Sequence, residues 1–286
     1  MAITGFTLTC PDLSAGVEFL AHLGLDSQLT GDVCMANLGP DAFNCITLVS
    51  GPQKKLQRLT FCCRPGDFAL FADDHWHTTG DGRLVTNDPD GIEIELVPSG
   101  YHAPRPSESL LLPHSPLHAD LNVPAPVALS HVAIFVSDVS QSLEFYERRL
   151  GLALSDRCGD GIAFLHGRHG GGHHQLALIR SSGPGLHHYA LEMGTVDAIG
   201  LRATSMAGKG HSRGWGLGRH VLGSNFFHYV QDPWGSYAEL TAGLDYIAED
   251  EVWAAGDHAP EDSLYLWGPP PPSDFIINPE AMAPVS

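Results

Sequence analysis

Histidine is the residue type whose abundance first suggests chemistry: there are 17, against 15 lysines and arginines together. Ten of them fall between His131 and His228. A neutral imidazole serves as an acid or base near neutral pH and as a ligand for divalent transition metals. Two imidazoles and one carboxylate on one face hold Fe(II) and leave several positions open for small molecules. The candidates are His131 in Ser-His-Val-Ala-Ile-Phe, His188 in His-His-Tyr-Ala-Leu-Glu and Glu239 in Ser-Tyr-Ala-Glu-Leu. Each sits in an alternating segment that reads as a strand, and three strands of one curved sheet would aim them at a common centre. His187 is the rival of His188, because adjacent strand residues point to opposite faces and only one would reach a metal.

The elements that must position these residues occur twice. Ile3-Thr-Gly-Phe-Thr-Leu-Thr-Cys-Pro-Asp12 parallels Leu129-Ser-His-Val-Ala-Ile-Phe-Val-Ser-Asp138, a strand running into an acidic helix N-cap. Amphipathic stretches follow, stopped by Gly24 and Gly151. Later, Asn87-Asp-Pro-Asp-Gly-Ile-Glu-Ile-Glu95 matches Gln231-Asp-Pro-Trp-Gly-Ser-Tyr-Ala-Glu239, a turn leading into a strand. Second strand-helix-strand passes begin at Leu56 and Leu186. The reading is an α+β fold of two tandem domains, each of two βαβββ modules forming a curved mixed sheet. Residues 1–120 make the first domain and 128–245 the second. A proline-rich linker, chiefly 102–127, joins them over the surface, and 246–286 form a proline-rich tail packed on the second domain. In register, Glu95 corresponds to Glu239, but Gly5 stands opposite His131 and Arg58 opposite His188. Only the second copy has the metal-binding set, so the first is read as scaffold and oligomer surface.

From Leu129 to Thr241 the chain resembles the type I extradiol ring-cleavage dioxygenases of the vicinal oxygen chelate superfamily. The most specific segment is Gly218-Arg-His-Val-Leu-Gly-Ser-Asn-Phe-Phe-His-Tyr-Val-Gln-Asp-Pro-Trp-Gly-Ser-Tyr-Ala-Glu239, with His220 and Tyr229 ahead of the carboxylate. The resemblance implies the vicinal oxygen chelate fold, metal ligands His131, His188 and Glu239, and Fe(II), or Mn(II), as cofactor. It implies His174 as acid/base beside the oxygen site, and His220 and Tyr229 as hydrogen-bond partners of the substrate oxygens. His173 would then face the other side of a strand from His174. The implied reaction inserts both atoms of O2 into a catechol and opens the ring beside the vicinal hydroxyls. Arg213-Gly-Trp-Gly-Leu-Gly-Arg219 resembles the corresponding segment of enzymes that cleave homoprotocatechuate, with two extra residues that leave Arg213 open as a carboxylate clamp. His166, His169, His211 and His228 are read as structural or surface residues.

Composition narrows the partners. Acidic residues outnumber basic ones 33 to 15, a formal charge of -18. That balance argues against nucleic acid and anionic membranes, and no apolar run approaches the roughly 20 residues of a membrane span. The start lacks the pattern of a secretory signal, so a cytoplasmic location is expected, with six cysteines reduced and buried. The expected partners are a small catechol, O2 and further copies of the chain in a homo-oligomer. Two alternatives remain open: a glyoxalase-like metal isomerase, which wants a fourth protein ligand, and a non-catalytic ligand-sequestering protein, which needs no metal.

Overall fold

Residues 1–37, 44–100, 105, 109–112 and 122–281 are described by the computed structural model. Most of the linker therefore lies outside the described residues. Alternation of apolar and polar side chains gives two large mixed sheets. The first contains β1 (Ala2–Cys10), β2 (Asp26–Thr30), β3 (Val33–Asn37), β4 (Asn44–Ser50), β5 (Lys55–Cys63), β6 (His77–Thr78), β7 (Leu84–Asn87) and β8 (Glu93–Pro98). Its order is β2-β3-β4-β1-β5-β8-β7-β6. The second contains β9 (Ala128–Val136), β10 (Leu152–Cys158) and β11 (Ile162–Gly167), then, after the short β12 (Gly171–Gly172), β13 (Leu176–Arg180), β14 (Gly185–Glu192), β15 (Gly214–Arg219), β16 (Phe226–Gln231) and β17 (Tyr237–Ala242). After β18 (Tyr246–Ile247), which pairs with β12, the edge strand β19 (Gly256–Asp257) completes the order β15-β16-β17-β14-β9-β13-β11-β10-β19.

Helices α1 (Leu13–His22), α2 (Val139–Leu150) and α3 (Val196–Gly208) start where the sequence places capping side chains. Asp12 accepts from the Ala15 amide and Asp138 from the Gln141 amide, each pairing a donor that the first helical turn leaves free. Gly24 (φ 85°) and Gly151 (φ 63°) take left-handed conformations just past the helix ends. The expected helix of the second module in the first domain is reduced to one 3₁₀ turn, Phe68–Phe71. Pro65 and Gly66 before it and Asp73 and Asp74 after it leave too short an apolar stretch to sustain several turns.

The second sheet divides its faces by residue parity. Val132, Ile134 and Val136 of β9, Leu176 and Leu178 of β13, and Ala238, Leu240 and Ala242 of β17 enter the main core. His131, Ala133, Ala177 and Glu239 therefore face the other side, a period of two that follows from strand geometry. The tail is bound more widely than expected. Arg219 bridges to Trp267, Phe275 is only 5% exposed, and Glu280 reaches across to Leu56 of the first sheet. Cys10, Cys34, Cys62, Cys63 and Cys158 are buried and unpaired. Among the described residues, no helix is long and apolar enough to cross a membrane.

Candidate metal centre

Three adjacent strands, β9, β14 and β17, build the centre. Ala190 of β14 is paired with His131 on one side and Glu239 on the other, so these three share a face in one row across the sheet. His188 precedes Ala190 by two residues and joins the same face. Because Ala190 is small, the flanking side chains can lean together over it. The His131 Nε2 lies 3.1 Å from Glu239 Oε2 and 3.2 Å from His188 Nε2, and His188 Nε2 is 3.3 Å from the same oxygen. Neighbouring donors on an octahedral ion with bonds of about 2.1 Å stand about 3 Å apart, so the three atoms fit a single divalent ion. Among the described residues this is the one His/Cys/Asp/Glu cluster with donors so placed, and it has three members.

Its electrostatics suit a cation. Burial alone would raise the Glu239 carboxyl, but His131 and His188 beside it hold it well below the usual carboxylate range. Burial pushes His188 down to about 4, so its ring is neutral and offers a lone pair. Asn225, fully buried, donates to Glu239 Oε1 at 3.0 Å and to Thr241 Oγ1 at 2.8 Å, which orients the carboxylate.

The first sheet shows what happens to the same geometry without histidines. There Thr60 pairs with Gly5 and Glu95, repeating the row His131–Ala190–Glu239. Glu95 is buried, and it takes bonds from Arg58 at 3.2 Å, Arg83 at 3.0 Å and Thr60 at 3.1 Å. Two guanidinium groups supply the positive charge within the chain, so the carboxylate is already paired.

A cavity of about 710 Å³ opens beside the three donors, lined by His174, His220 and Tyr229 on its polar side and by Phe164, Ala177, Ile179, Leu222 and Ile276 elsewhere. The His174 ring centre is 4.2 Å from that of His131. His220 Nε2 is 3.0 Å from the Tyr229 hydroxyl and 3.8 Å from Glu239 Oε1, while its Nδ1 donates to the Leu264 carbonyl. His131, His174, His188, His220, Tyr229 and Glu239 thus meet at one place, as the sequence led one to expect. Burial lowers His174 well below the ordinary histidine value and lowers His220 as well. Burial, then the Glu239 charge, pushes the Tyr229 hydroxyl well above its ordinary range.

Two orientation rules applied to the sequence fail here. His187 and His188 do not take opposite faces: a bulge follows Leu186, so both bulge residues turn to the site and their Nδ1 atoms lie 2.6 Å apart. His173 and His174 occupy a bend between β12 and β13 rather than a strand, so parity does not separate them, and their Nδ1 atoms are 3.2 Å apart. From His173 a polar chain runs outward through Asp156 at 2.8 Å to His258 at 2.7 Å, near the mouth of the cavity. Arg213 lies outside the cavity lining, largely exposed and paired with Asp274. Asn225 could have been noticed inside the segment that ends at Glu239. Asp156, His258 and Phe275 carry no local signal.

A curved pair of βαβββ-type sheets with a two-histidine, one-carboxylate cluster on the second defines the class. The profile of the Glyoxalase/Bleomycin resistance protein/Dioxygenase superfamily matches residues 128–240. The chain is 39% identical to metapyrocatechase 2 of Cupriavidus necator over 300 residues, covering 98% of this chain and 92% of that protein. The chain belongs to this superfamily and, within it, to the extradiol ring-cleavage dioxygenases. Its fold is shared by homoprotocatechuate 2,3-dioxygenase of Brevibacterium fuscum in complex with 3,4-dihydroxyphenylacetate (TM-score 0.76, 22% identity, 96% of this chain and 91% of that one). The fold is also that of a Mn(II)-bound glyoxalase from Novosphingobium aromaticivorans (TM-score 0.74, 22% identity, 95% and 92%).

Proposed function

We propose that the protein cleaves catecholic diols beside the two hydroxyls, inserting both atoms of O2 to give a muconic semialdehyde-type product. His131, His188 and Glu239 would hold Fe(II), with Mn(II) sharing the same donor preferences. The observation that carries this reading is the three-donor cluster open on one side to an apolar cavity fringed by His174, His220 and Tyr229. When bound, the ion supplies Lewis acidity toward the diol oxygens and a route for electrons from ring to O2. A glyoxalase-like isomerase would use a fourth protein donor, and the cluster among the described residues has three.

The remaining roles belong to this chain's side chains. Phe164, Ile179 and Leu222 exclude water and take the flat ring. The Nδ1–H of His220 is committed to the Leu264 carbonyl, so its Nε2 carries the lone pair that accepts from Tyr229 or from a diol hydroxyl. His174, neutral at rest, takes a proton on its free Nε2 and returns it to oxygen, as its low proton affinity makes it a strong acid once charged. A cytoplasmic site of action accords with the buried, unpaired cysteines.

The test is single-turnover reaction of anaerobically Fe(II)-loaded protein with catechol and ¹⁸O2. A yellow ring-opened product carrying label in its new carboxylate supports the reading, whereas an unlabelled product overturns it. His188→Ala is expected to lose the metal. His174→Ala should retain it and turn over about 10²–10⁴-fold more slowly. Unchanged metal content in His188→Ala would contradict the ligand assignment.

A further inference from the structure

The bulge that brings His187 to the site also places it between a metal-facing imidazole and the C-terminal tail. His187 Nε2 lies 2.8 Å from the Phe275 carbonyl oxygen, and its Nδ1 lies 2.6 Å from His188 Nδ1. A carbonyl only accepts, so the proton of the neutral His187 ring sits on Nε2 and its Nδ1 is bare. Two facing nitrogens need one proton between them, and His187 Nδ1 has none to give. The proton is therefore on His188 Nδ1, which leaves the lone pair of His188 on Nε2, the atom that meets Glu239 and His131.

We propose that His187 is a positioning residue that transmits a hydrogen bond from the Phe275 carbonyl to His188 and thereby locks His188 in its metal-binding tautomer. A ligating histidine usually gives its second N–H to a carboxylate, carbonyl or water that fixes tautomer and ring orientation. Here a second imidazole does so, and the fixed point lies in the tail. The Phe275 carbonyl is held by packing: its ring meets His187 edge-on at 4.8 Å and Tyr229 at 4.9 Å, and it lies 4.7 Å from Trp215. Beyond it, Asn278 bonds to the Gly183 carbonyl at 2.9 Å, and Glu280 accepts from the Leu186 amide at 2.9 Å. The tail thus grips both ends of the short segment that enters the bulge. Its Leu264 carbonyl sets the proton of His220 in the same manner. Residues 264–280 thereby assign the tautomers of two imidazoles in the centre, although none of them belongs to the donor set.

The inference rests on the metal-site reading above, and two measurements keep the two separable. The first is the long-range ¹H–¹⁵N imidazole spectrum of the metal-free wild type. His188 is expected as the Nδ1–H tautomer, and an Nε2–H tautomer overturns the relay regardless of any metal. The second is titration with Mn(II), followed by the electron paramagnetic resonance of the free ion. His187→Phe keeps the ring packing but offers no acceptor, and should bind Mn(II) about 10–100-fold more weakly. His187→Asn, whose Oδ1 stands near the lost Nδ1, should recover most of that loss. Wild-type affinity in His187→Phe, or equal losses in both variants, overturns the proposal. If the wild type itself takes up no Mn(II), the metal-site reading fails, and the spectrum still decides the relay. The spectrum also decides if His187→Phe does not fold.

Discussion

Glu280 offers a quantitative test of how the tail is held. Its Oε1 lies 3.1 Å from Lys54 Nζ and accepts from the Leu186 amide at 2.9 Å, while Oε2 accepts from the Leu56 amide at 2.8 Å. The Lys54 and Glu280 side chains are 6% and 7% exposed, and Lys54 also meets Ser236 Oγ and the Leu186 carbonyl. One carboxylate therefore ties β5 of the first sheet, β14 of the second and the tail. Glu280→Gln preserves the shape, but it leaves the Lys54 ammonium in a buried site without a countercharge. It also turns an amide NH2 toward one backbone N–H. Removing one partner of a buried pair costs about 3–5 kcal/mol. Unfolding entropy of about 2.1 cal/mol/K per residue gives about 0.6 kcal/mol/K for a chain of 286 residues, so Tm should fall by about 5–8 °C. Lys54→Met should cost less, since the carboxylate keeps both backbone amides. Lys54→Met combined with Glu280→Gln should be milder than the sum of the two, because the stranded ammonium is gone. Urea and thermal denaturation of the metal-free proteins measure all three variants. A loss below about 1 kcal/mol in Glu280→Gln, or strict additivity in the double variant, would refute the reasoning.

Other outcomes follow from the site and its surroundings. Asn225→Ala should weaken Mn(II) binding about 10-fold or more by freeing Glu239 to turn, read by the same titration as above. Burial pushes Glu192 up to about 7, from 4.5, against the opposing bond from the Gly194 amide. A carboxyl raised in the folded state favours folding when protonated. Its contribution is therefore full below about pH 4.5, is lost as the pH rises toward 7, and is constant above. Glu192→Gln should remove this slope and leave the metal-free protein up to about 3 kcal/mol more stable than wild type at pH 8, measured by urea unfolding across pH.

Much of the architecture was legible because it depends on local chemistry. Asp12 and Asp138 cap helices wherever such a residue precedes an amphipathic run, and alternation assigns His131 and Glu239 to the face opposite Val132 and Leu240. The repeat also aligned Gly5, Arg58 and Glu95 with His131, His188 and Glu239, and the ladder pairs them in that register. Local rules failed where the backbone departs from regular strand. Parity separates His187 from His188 only if no bulge intervenes, and the register of β14 against β9 shifts between Leu186 and His188. The helix expected after β5 was lost for a local reason, as Pro65, Gly66, Asp73 and Asp74 bound an apolar stretch too short for more than the turn at Phe68–Phe71.

The amino-acid order alone determined which side chains are available for metal and proton chemistry and which strands carry them, because residue type and strand parity are properties of short segments. Only the tertiary structure decided how those side chains are protonated and held. His173 meets Asp156, His187 meets Phe275, and Lys54 meets Glu280, pairs 17, 88 and over two hundred residues apart. A hydrogen bond needs its partner within about 3 Å, and packing of the two sheets and the tail is what brings such distant groups together.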